Sequence, residues 1–376
     1  MSGASAFHVL VSGVPFGCQD RRPDDTWLTA GQVAALEAVS PRVVLHHVAP
    51  DVLNENQVSL PTPHAFLVET SGMDQADDDL PAMVFGSAVK RMISPDLAFI
   101  QSCSAGVEHL IPLVPAGLTV CNASGVHANA IAETVIAAIL GRAKMLEQRK
   151  QDQTERVWRQ LPCREVVGST VCVLGVGRIG TAVARLAQAL DMTTVGIRRG
   201  GPAKDHPATD RSATDRSATD QTGAGRSATD QTGADHFDAV FGVTDRMDAL
   251  SQADYLVVAC PLTDETRGLI GKEELSALKP GAYLLNVARG AIVDEGALLD
   301  ALRNGQLSGA FLDAHIQEPL PPDHPLWATP GVNISPHDSH ASQLMGDRHV
   351  SLFCENLRRH LSDEPLLNVV DAGRGY

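Results

Sequence analysis

Residues 169–199 read STVCVLGVGRIGTAVARLAQALDMTTVGIRR, and this stretch decides the fold that we expect. An apolar run (TVCVL) is followed by a glycine turn, an amphipathic segment (TAVARLAQAL) and a second apolar run (TTVGI). Short apolar runs are typical of strands buried on both faces of a parallel sheet, and the segment between them has the periodicity of a helix. The stretch therefore predicts strand, turn, helix and strand, which is one complete βαβ unit.

The glycine turn has the spacing G-x-G-x-x-G, formed by Gly175, Gly177 and Gly180. After a strand and before a helix, the first glycine permits a tight turn, the second lets the backbone approach a pyrophosphate, and the third lets helix and strand pack closely. The N-terminus of the helix would face the anion. The turn thus predicts a dinucleotide site, to which we also assign Arg178 and Ile179.

The end of the second strand bears on the identity of the cofactor. In NAD-preferring proteins of this type, an Asp or Glu at that place binds the ribose 2′-hydroxyl. Here the strand ends in Arg198 and Arg199, and guanidinium groups suit a 2′-phosphate. The sequence therefore favours NADP(H), while NAD(H) remains possible if both arginines are simply solvated.

The length of 376 residues predicts two domains, because it exceeds the usual size of a single core. Strand-like and helix-like runs alternate along both halves, as in doubly wound parallel sheets. We predict two Rossmann-like α/β domains with a cleft between them. The flavodoxin-like substrate domain would comprise 1–128 plus 337–376, and the NAD(P)-binding domain 129–336.

A tandem repeat interrupts the second domain over residues 203–235. The unit RSATD recurs at 211, 216 and 226, and QTGA recurs at 221 and 231. Almost no residue there is large and apolar, so the segment cannot offset the entropy lost on ordering. We predict a disordered surface insertion.

Composition and charge narrow the range of partners. The net charge is −15 without a Lys/Arg cluster, which argues against nucleic acid and anionic membranes as partners.

The most apolar helix candidate, 130–146, carries three charged residues and is too polar to span a membrane. The N-terminus looks like a first strand rather than a signal peptide, so a cytoplasmic location is expected. The seven cysteines include no C-x-x-C pair, and no metal site is predicted.

Three polar residues in the last quarter of the chain have matching chemistry. They are Arg289 in NVARGAIVDEGAL, Glu318 in LDAHIQEPLPPDHPLW and His337 in ISPHDSH. Arginine can hold a carboxylate through two hydrogen bonds, histidine can exchange a proton near neutral pH, and a carboxylate can orient that histidine. Together they predict a hydride-transferring enzyme that acts on a 2-oxo acid.

Several motifs in order make the chain resemble the D-isomer-specific 2-hydroxyacid dehydrogenases, the family that contains glyoxylate and hydroxypyruvate reductases. The resemblance covers most of residues 95–345 and includes QSCSAGVEHL, ASGVHANAIAETVIAAIL, the glycine turn, ACPLTDETRGLIG and the three motifs above. It implies that Arg289 binds the carboxylate and carbonyl of the substrate. It also implies that His337 exchanges the proton of the C2 oxygen and that Glu318 holds and tunes the imidazole.

The resemblance implies further contacts. Asp313 would meet the nicotinamide carboxamide, Pro261 would shape the nicotinamide side of the cleft, and Ala288 would belong to the same cofactor site. The backbone amides of Ala105 and Gly106 would hold the substrate carboxylate from the first domain. A plain turn after the strand AFIQS remains the alternative for these last two residues.

The chain also departs from the family pattern. Asp338, Ser339 and His340 follow the histidine where small apolar residues are usual, and His315 replaces an aromatic or aliphatic residue. These residues could tune substrate choice or the pKa of His337, or they could be surface variation. Both interpretations stay open at this point.

Competing functions differ in what they require. The main hypothesis is reduction of a small 2-oxo acid, such as glyoxylate or hydroxypyruvate, to the D-2-hydroxy acid. Formate dehydrogenases carry Gln in place of Glu318, which argues against formate. The alternative is an NAD(P)-sensing corepressor on the same fold, with little turnover. Corepressors carry long disordered C-terminal extensions, whereas the segment after His337 is short and contains a helix-like run, LFCENLRRHL. The resemblance also predicts a homodimer built through 130–146.

Overall fold

The computed structural model describes residues 6–12, 28–48, 62–68, 93–107, 110–200 and 233–371. The chain divides into two compact units, Met1–His127 with His340–Tyr376, and Ala128–Ser339. The predicted boundaries differ from these by one residue at the first crossing and by three at the second. Residues 337–339 belong to the second unit because their loop is hydrogen-bonded to Asp313, and Ala128 packs in the core of that unit.

The sheets contain twelve described strands. They are β1 (Phe7–Ser12), β2 (Val43–Val48), β3 (Ala65–Val68), β4 (Phe99–Ser102), β5 (Thr119–Cys121), β6 (Thr170–Leu174), β7 (Thr193–Arg198), β8 (Ala239–Gly242), β9 (Tyr255–Val258), β10 (Ala282–Asn286), β11 (Leu307–Leu312) and β12 (Val332–Ile334). The described α-helices are α1 (Ala30–Glu37), α2 (Ala128–Ala143), α3 (Leu146–Glu155), α4 (Arg178–Ala189), α5 (Arg246–Leu250), α6 (Lys272–Ala277), α7 (Glu295–Arg303) and α8 (Met345–Leu361).

The first unit is built on a five-stranded parallel sheet in the order β2-β1-β3-β4-β5. This is the flavodoxin-like order, as predicted. Alternate residues of β1 enter different cores. Val9 and Val11 pack with Phe353 of α8 and Leu36 of α1, whereas Leu10 joins a separate cluster on the other face.

The second unit contains a seven-stranded parallel sheet in the order β12-β11-β10-β9-β6-β7-β8. Strand order reverses between β6 and β9, which is the doubly wound Rossmann pattern. The predicted βαβ unit is β6–α4–β7. Helices α2 and α4 contribute to one core cluster, and α5, α6 and α7 contribute to the other. Because all strands are parallel, the loops that follow them leave the sheet at one edge.

Two segments differ from the sequence prediction. The helix expected over 130–146 ends at Ala143, the backbone turns left-handed at Met145 (φ 53°), and α3 follows as a helix that was not predicted. Residues 203–232 of the predicted disordered insertion lie outside the described residues. Its last residues, 233–235, lie in the 3-10 helix Gly233–His236, where Ala234 is buried. Among the described helices, none has the length and apolar character needed to cross a membrane.

Candidate active site

The glycine turn connects β6 to α4 and is held by very close backbone approaches. A Cβ atom at Gly175 would lie 2.6 Å from the carbonyl oxygen of Ala259, and one at Gly180 would lie 2.1 Å from the carbonyl oxygen of Gly175. Gly175 also has a positive φ of 114°, which side chains disfavour. These two glycines are therefore required by the turn itself.

Gly177 has a different environment and fits a bound pyrophosphate. A Cβ atom there would meet nothing within 4 Å, so the glycine leaves open space in front of the helix. Gly177 is the N-cap of α4, and no side chain caps the first amides of that helix. Uncapped amides at a helix N-terminus bind anions. The exposed Arg178 and the partly buried Ile179 begin the same helix.

Other predicted cofactor residues lie at the same edge of the sheet. Arg198 is the last residue of β7 and is partly buried. Arg199 follows it and forms an exposed ion pair with Glu265, with 2.8 Å between Nη2 and Oε1. Pro261 lies in the loop after β9, where its carbonyl accepts a hydrogen bond from the Thr266 hydroxyl at 2.7 Å. The structure thus gathers the ends of β6, β7 and β9.

Arg289 follows β10 in a loop that the buried Asn286 organises. The Asn286 side chain accepts a hydrogen bond from the Ala288 amide at 3.1 Å and donates one to the Arg289 carbonyl at 2.9 Å. The guanidinium of Arg289 in turn donates to the Ala288 carbonyl at 2.9 Å. A Cβ at Gly290 would lie 2.2 Å from the carbonyl carbon of His315. Only glycine lets the Arg289 loop approach the loop that follows β11 so closely.

Glu318 and His337 form a hydrogen-bonded pair across neighbouring loops. Glu318 lies in the loop after β11, and His337 lies in the loop after β12. The Oε2 atom of Glu318 lies 2.8 Å from Nδ1 of His337. Its other carboxylate oxygen accepts a hydrogen bond from the His315 amide at 2.7 Å. Both partners are partly buried. The carboxylate therefore fixes one ring nitrogen and leaves Nε2 for another contact.

The pair shifts both pKa values in the directions that keep the imidazole charged. The hydrogen bond to Glu318 raises the pKa of His337 above its ordinary value of 6.5, against the opposing effects of burial and of Arg289. Burial alone would raise the pKa of Glu318, but hydrogen bonds from His337 and from the His315 amide bring it below its ordinary value. The site therefore favours an imidazolium beside a carboxylate.

Asp313 is the first residue after β11 and contacts the loop that carries His337. It is 1% exposed, and its carboxylate faces the loop that carries His337. The Ser335 hydroxyl and the amides of Asp338 and Ser339 donate hydrogen bonds to it. The contact with a nicotinamide carboxamide stays a prediction.

Ala105 and Gly106 lie after β4 in the first unit. The Ala105 carbonyl accepts a hydrogen bond from the Asn122 side chain at 2.9 Å, and Asn122 is itself buried. These contacts hold the turn in place. The predicted binding of a substrate carboxylate by the amides of Ala105 and Gly106 stays a prediction.

Some residues at the site were not assigned a role from the sequence. Gly290 follows Arg289 directly, but the need for glycine there depends on a loop that lies far along the chain. His315 supplies the amide that holds Glu318, and its ring lies 3.3 Å from the Ser335 carbonyl oxygen. Ser339 was noted only as a departure from the family. Within the described part of the chain, no cluster of His, Cys, Asp and Glu could hold a metal ion.

Comparison with known proteins shows the family of the chain. The family model for "D-isomer specific 2-hydroxyacid dehydrogenase, NAD binding domain" matches residues 136–222 and 218–339. The glyoxylate reductase of Aeropyrum pernix is 33% identical over 252 residues, covering 64% of this chain and 66% of that protein. The glyoxylate/hydroxypyruvate reductase B of Pectobacterium carotovorum is 30% identical over 286 residues, covering 74% of this chain and 80% of that protein.

A solved structure extends the similarity over nearly the whole chain. The D-isomer specific 2-hydroxyacid dehydrogenase of Xanthobacter autotrophicus Py2, crystallised with NADPH and MES, is 27% identical with a TM-score of 0.69. The match covers 98% of this chain and 100% of that one. The family model, the relatives and the two parallel sheets all agree. The chain belongs to the D-isomer specific 2-hydroxyacid dehydrogenases, a family of NAD(P)-dependent oxidoreductases.

Proposed function

We propose that this protein reduces a small 2-oxo acid of the glyoxylate or hydroxypyruvate type to the D-2-hydroxy acid. The observation that carries the proposal is the hydrogen bond between Glu318 and His337, which favours the protonated imidazole, at the edge where Arg289 also lies. Besides a hydride, reduction of a 2-oxo acid uses a proton donor for the C2 oxygen and a cation that binds the substrate carboxylate. His337 and Arg289 supply them.

Each residue has a separate task in this reaction. When bound, the nicotinamide supplies the hydride that is added to C2 of the substrate. As negative charge develops on the C2 oxygen, His337 donates its proton from Nε2, since Nδ1 is held by Glu318. Glu318 stabilises the imidazolium before the transfer. Arg289 binds the substrate carboxylate through paired hydrogen bonds and so fixes the orientation of C2.

Replacing Glu318 with glutamine should move the pH profile to lower pH. The proton on His337 is needed for reduction, so kcat/KM is high below the pKa of His337 and falls above it. Because Glu318 raises that pKa, its loss brings the fall to lower pH. Oxidation of the hydroxy acid needs the neutral imidazole, so its rising limb should move in the same direction. The pH dependence of kcat/KM, measured for reduction and for oxidation, tests this. If either profile keeps its wild-type position, Glu318 does not raise the pKa of His337.

The cofactor proposed for the chain is NADP(H), with Arg198 and Arg199 binding the 2′-phosphate. An exposed ion pair such as that between Arg199 and Glu265 is worth roughly 0.2 to 1 kcal/mol, so a phosphate can displace the carboxylate. The Xanthobacter relative was crystallised with NADPH, which supports the same preference.

The Arg198→Asp variant should exchange this preference. A hydrogen bond to a charged group contributes roughly 1.5 to 3 kcal/mol, so we expect kcat/KM with NADPH to fall about tenfold or more, while that with NADH is maintained. The matched control is Arg185→Gln on the exposed side of α4, which should change neither value. Equal effects on both cofactors would count against the phosphate contact.

A kinetic panel tests the proposed function directly. The purified protein is assayed with NADPH and NADH against glyoxylate, hydroxypyruvate, pyruvate and larger 2-oxo acids, and the chirality of the product is determined. We expect steady oxidation of NADPH with at least one small 2-oxo acid and a D-configured product where C2 is chiral. Absence of turnover across the panel would refute the reductase. No observation favours the regulatory alternative. The Glu318–His337 pair serves proton exchange, which a cofactor sensor does not require.

We also propose a homodimer, with an interface that includes the end of the predicted segment 130–146 and the residues that follow it. The apolar residues Ile131, Val135 and Ile139 of α2 are already buried in their own unit. By contrast, Trp158 is 101% exposed, and Leu146 and Val167 are more than half exposed. Large exposed aromatic residues are enriched at interfaces. Trp158→Ser should raise the dimer dissociation constant about tenfold or more in sedimentation experiments; a wild-type monomer at high concentration contradicts the proposal.

A further inference from the structure

The buried carboxylate of Asp313 collects hydrogen bonds from a single loop. Asp313 is the first residue after β11. It accepts hydrogen bonds from the hydroxyl of Ser335 at 2.5 Å and from the amides of Asp338 and Ser339 at 3.1 Å each. The Ser339 hydroxyl donates to the other carboxylate oxygen. All four donors belong to residues 335–339, and His337 is the central residue of that loop.

The backbone of His337 has a conformation that needs outside support. Its φ is 58°, in the left-handed region that residues other than glycine rarely adopt. Ser335 before His337 and Ser339 after it both donate hydrogen bonds to Asp313, so this carboxylate holds the backbone on both sides of His337. The loop has further attachments, since the Thr134 hydroxyl of α2 donates to the Ser339 carbonyl at 3.2 Å and the His315 ring lies 3.3 Å from the Ser335 carbonyl oxygen.

We propose that Asp313, Ser335 and Ser339 form a clamp that positions the His337 imidazole against Glu318 for proton exchange with the substrate. The inference rests on the proposed function. Three of the donors share one carboxylate oxygen and the fourth takes the other, so both oxygens of Asp313 hold the loop. Asp313 is therefore a positioning residue that acts through His337, which differs from the carboxamide contact that the family resemblance implies.

The clamp also gives a role to one of the departures from the family pattern, Ser339. The small apolar residues that are usual there have no hydroxyl to offer, whereas Ser339 has one and is 5% exposed. The groups that act on the charge of His337 are Glu318 and Asp313, which raise its pKa, and Arg289, which lowers it together with burial. Loosening the loop weakens the hydrogen bond to Glu318, the strongest of these effects, so the imidazole should lose its proton more readily.

The experiment follows the titration of His337 directly in the full-length protein. Histidine is labelled with carbon-13, and the His337 resonance is identified by its loss in His337→Asn. In Ser339→Ala we expect the His337 pKa to lie below that of the wild type. We also expect kcat to fall about tenfold, as for loss of a hydrogen bond to a charged group, while the dissociation constant of NADPH is unchanged. Asp313→Asn should lower the pKa further, because a negative charge is removed as well.

A matched control separates positioning from general stability. Thr194→Val also removes a hydroxyl that donates to an aspartate, Asp238, but at the amino-terminal end of β7. It should leave the His337 titration unchanged. If Ser339 acts through Asp313, the double variant Asp313→Asn/Ser339→Ala should titrate like Asp313→Asn alone. If Asp313→Asn does not fold, the pKa of His337 in Ser339→Ala and in Ser335→Ala still tests the clamp.

The outcomes distinguish the clamp from the proposed function. An unchanged His337 titration in Ser339→Ala overturns the clamp, even in an active enzyme. A weaker affinity of Asp313→Asn for NADPH with an unchanged titration also overturns it and assigns Asp313 to the nicotinamide. If the wild type shows no turnover of 2-oxo acids but the titration shifts as expected, the clamp stands and the proposed function fails.

Discussion

The His337→Asn variant should lower kcat for 2-oxo acid reduction by about 10² to 10⁴, the usual contribution of general acid catalysis. Asparagine is the appropriate replacement because His337 has a left-handed backbone, which asparagine tolerates better than most residues. Its side-chain amide can still donate a hydrogen bond to Glu318. The variant therefore removes the exchangeable proton while it retains the loop, and the dissociation constant of NADPH should stay unchanged.

The chain offers a matched control in a second histidine–glutamate pair. His324 lies 3.1 Å from Glu295 in the same unit, and its side chain also accepts a hydrogen bond from the Leu326 amide. His324→Asn should leave kcat within about threefold of the wild type, because loss of this local contact acts on stability rather than on the reaction. Equal losses in His324→Asn and His337→Asn would show a general structural effect and refute the proton-donor assignment.

The grouping of the candidate residues Arg289, Glu318 and His337 at one edge of the sheet could be predicted because its signals are local. Each strand end is marked by a short apolar run, and Arg289, Glu318 and His337 follow three such runs. Since β10, β11 and β12 are parallel neighbours, their carboxyl ends lie side by side. The order of these three strands in the sheet is therefore enough to place the loops after them next to one another. The hydrogen bond between Glu318 and His337 required only that the two loops have compatible lengths.

The clamp could not be predicted, because it depends on long-range partners of ordinary residues. Ser335 and Ser339 meet an aspartate that lies 22 and 26 residues earlier in the chain. A serine beside a histidine carries no signal of its own. The same loop explains the boundary between the units, since hydrogen bonds to Asp313 retain residues 337–339 in the second unit, beyond the end predicted at residue 336.

Helix α3 was missed for a different reason. Its sequence, LEQRKQDQTE, is polar on almost every side and lacks the apolar stripe by which a packed helix is recognised. Local side-chain pairs stabilise it instead, with Gln148 donating to Asp152 and Gln151 donating to Glu155.

Arg289 should be as sensitive as His337, and its variants separate charge from geometry. Arg289→Lys keeps the positive charge but loses the planar fork that binds a carboxylate through two hydrogen bonds. Loss of a partner in a hydrogen-bonded charge pair costs roughly 2 to 5 kcal/mol, so kcat/KM for the 2-oxo acid should fall about 30- to 5000-fold in Arg289→Gln and by less in Arg289→Lys, which keeps the charge. The pH profile of Arg289→Lys should nevertheless resemble that of the wild type.

Arg289→Gln removes the charge as well, and the direction of the resulting pH shift is the decisive observation. Arg289 lowers the pKa of His337, so its neutralisation should raise that pKa and move the fall in reduction rate to higher pH. This is opposite to the shift expected for Glu318→Gln. Arg303→Gln, an exposed arginine at the end of α7, serves as the control and should change neither rate nor profile. If Arg289→Gln shifted the profile to lower pH, Arg289 would not be the cation that faces His337 and the substrate carboxylate.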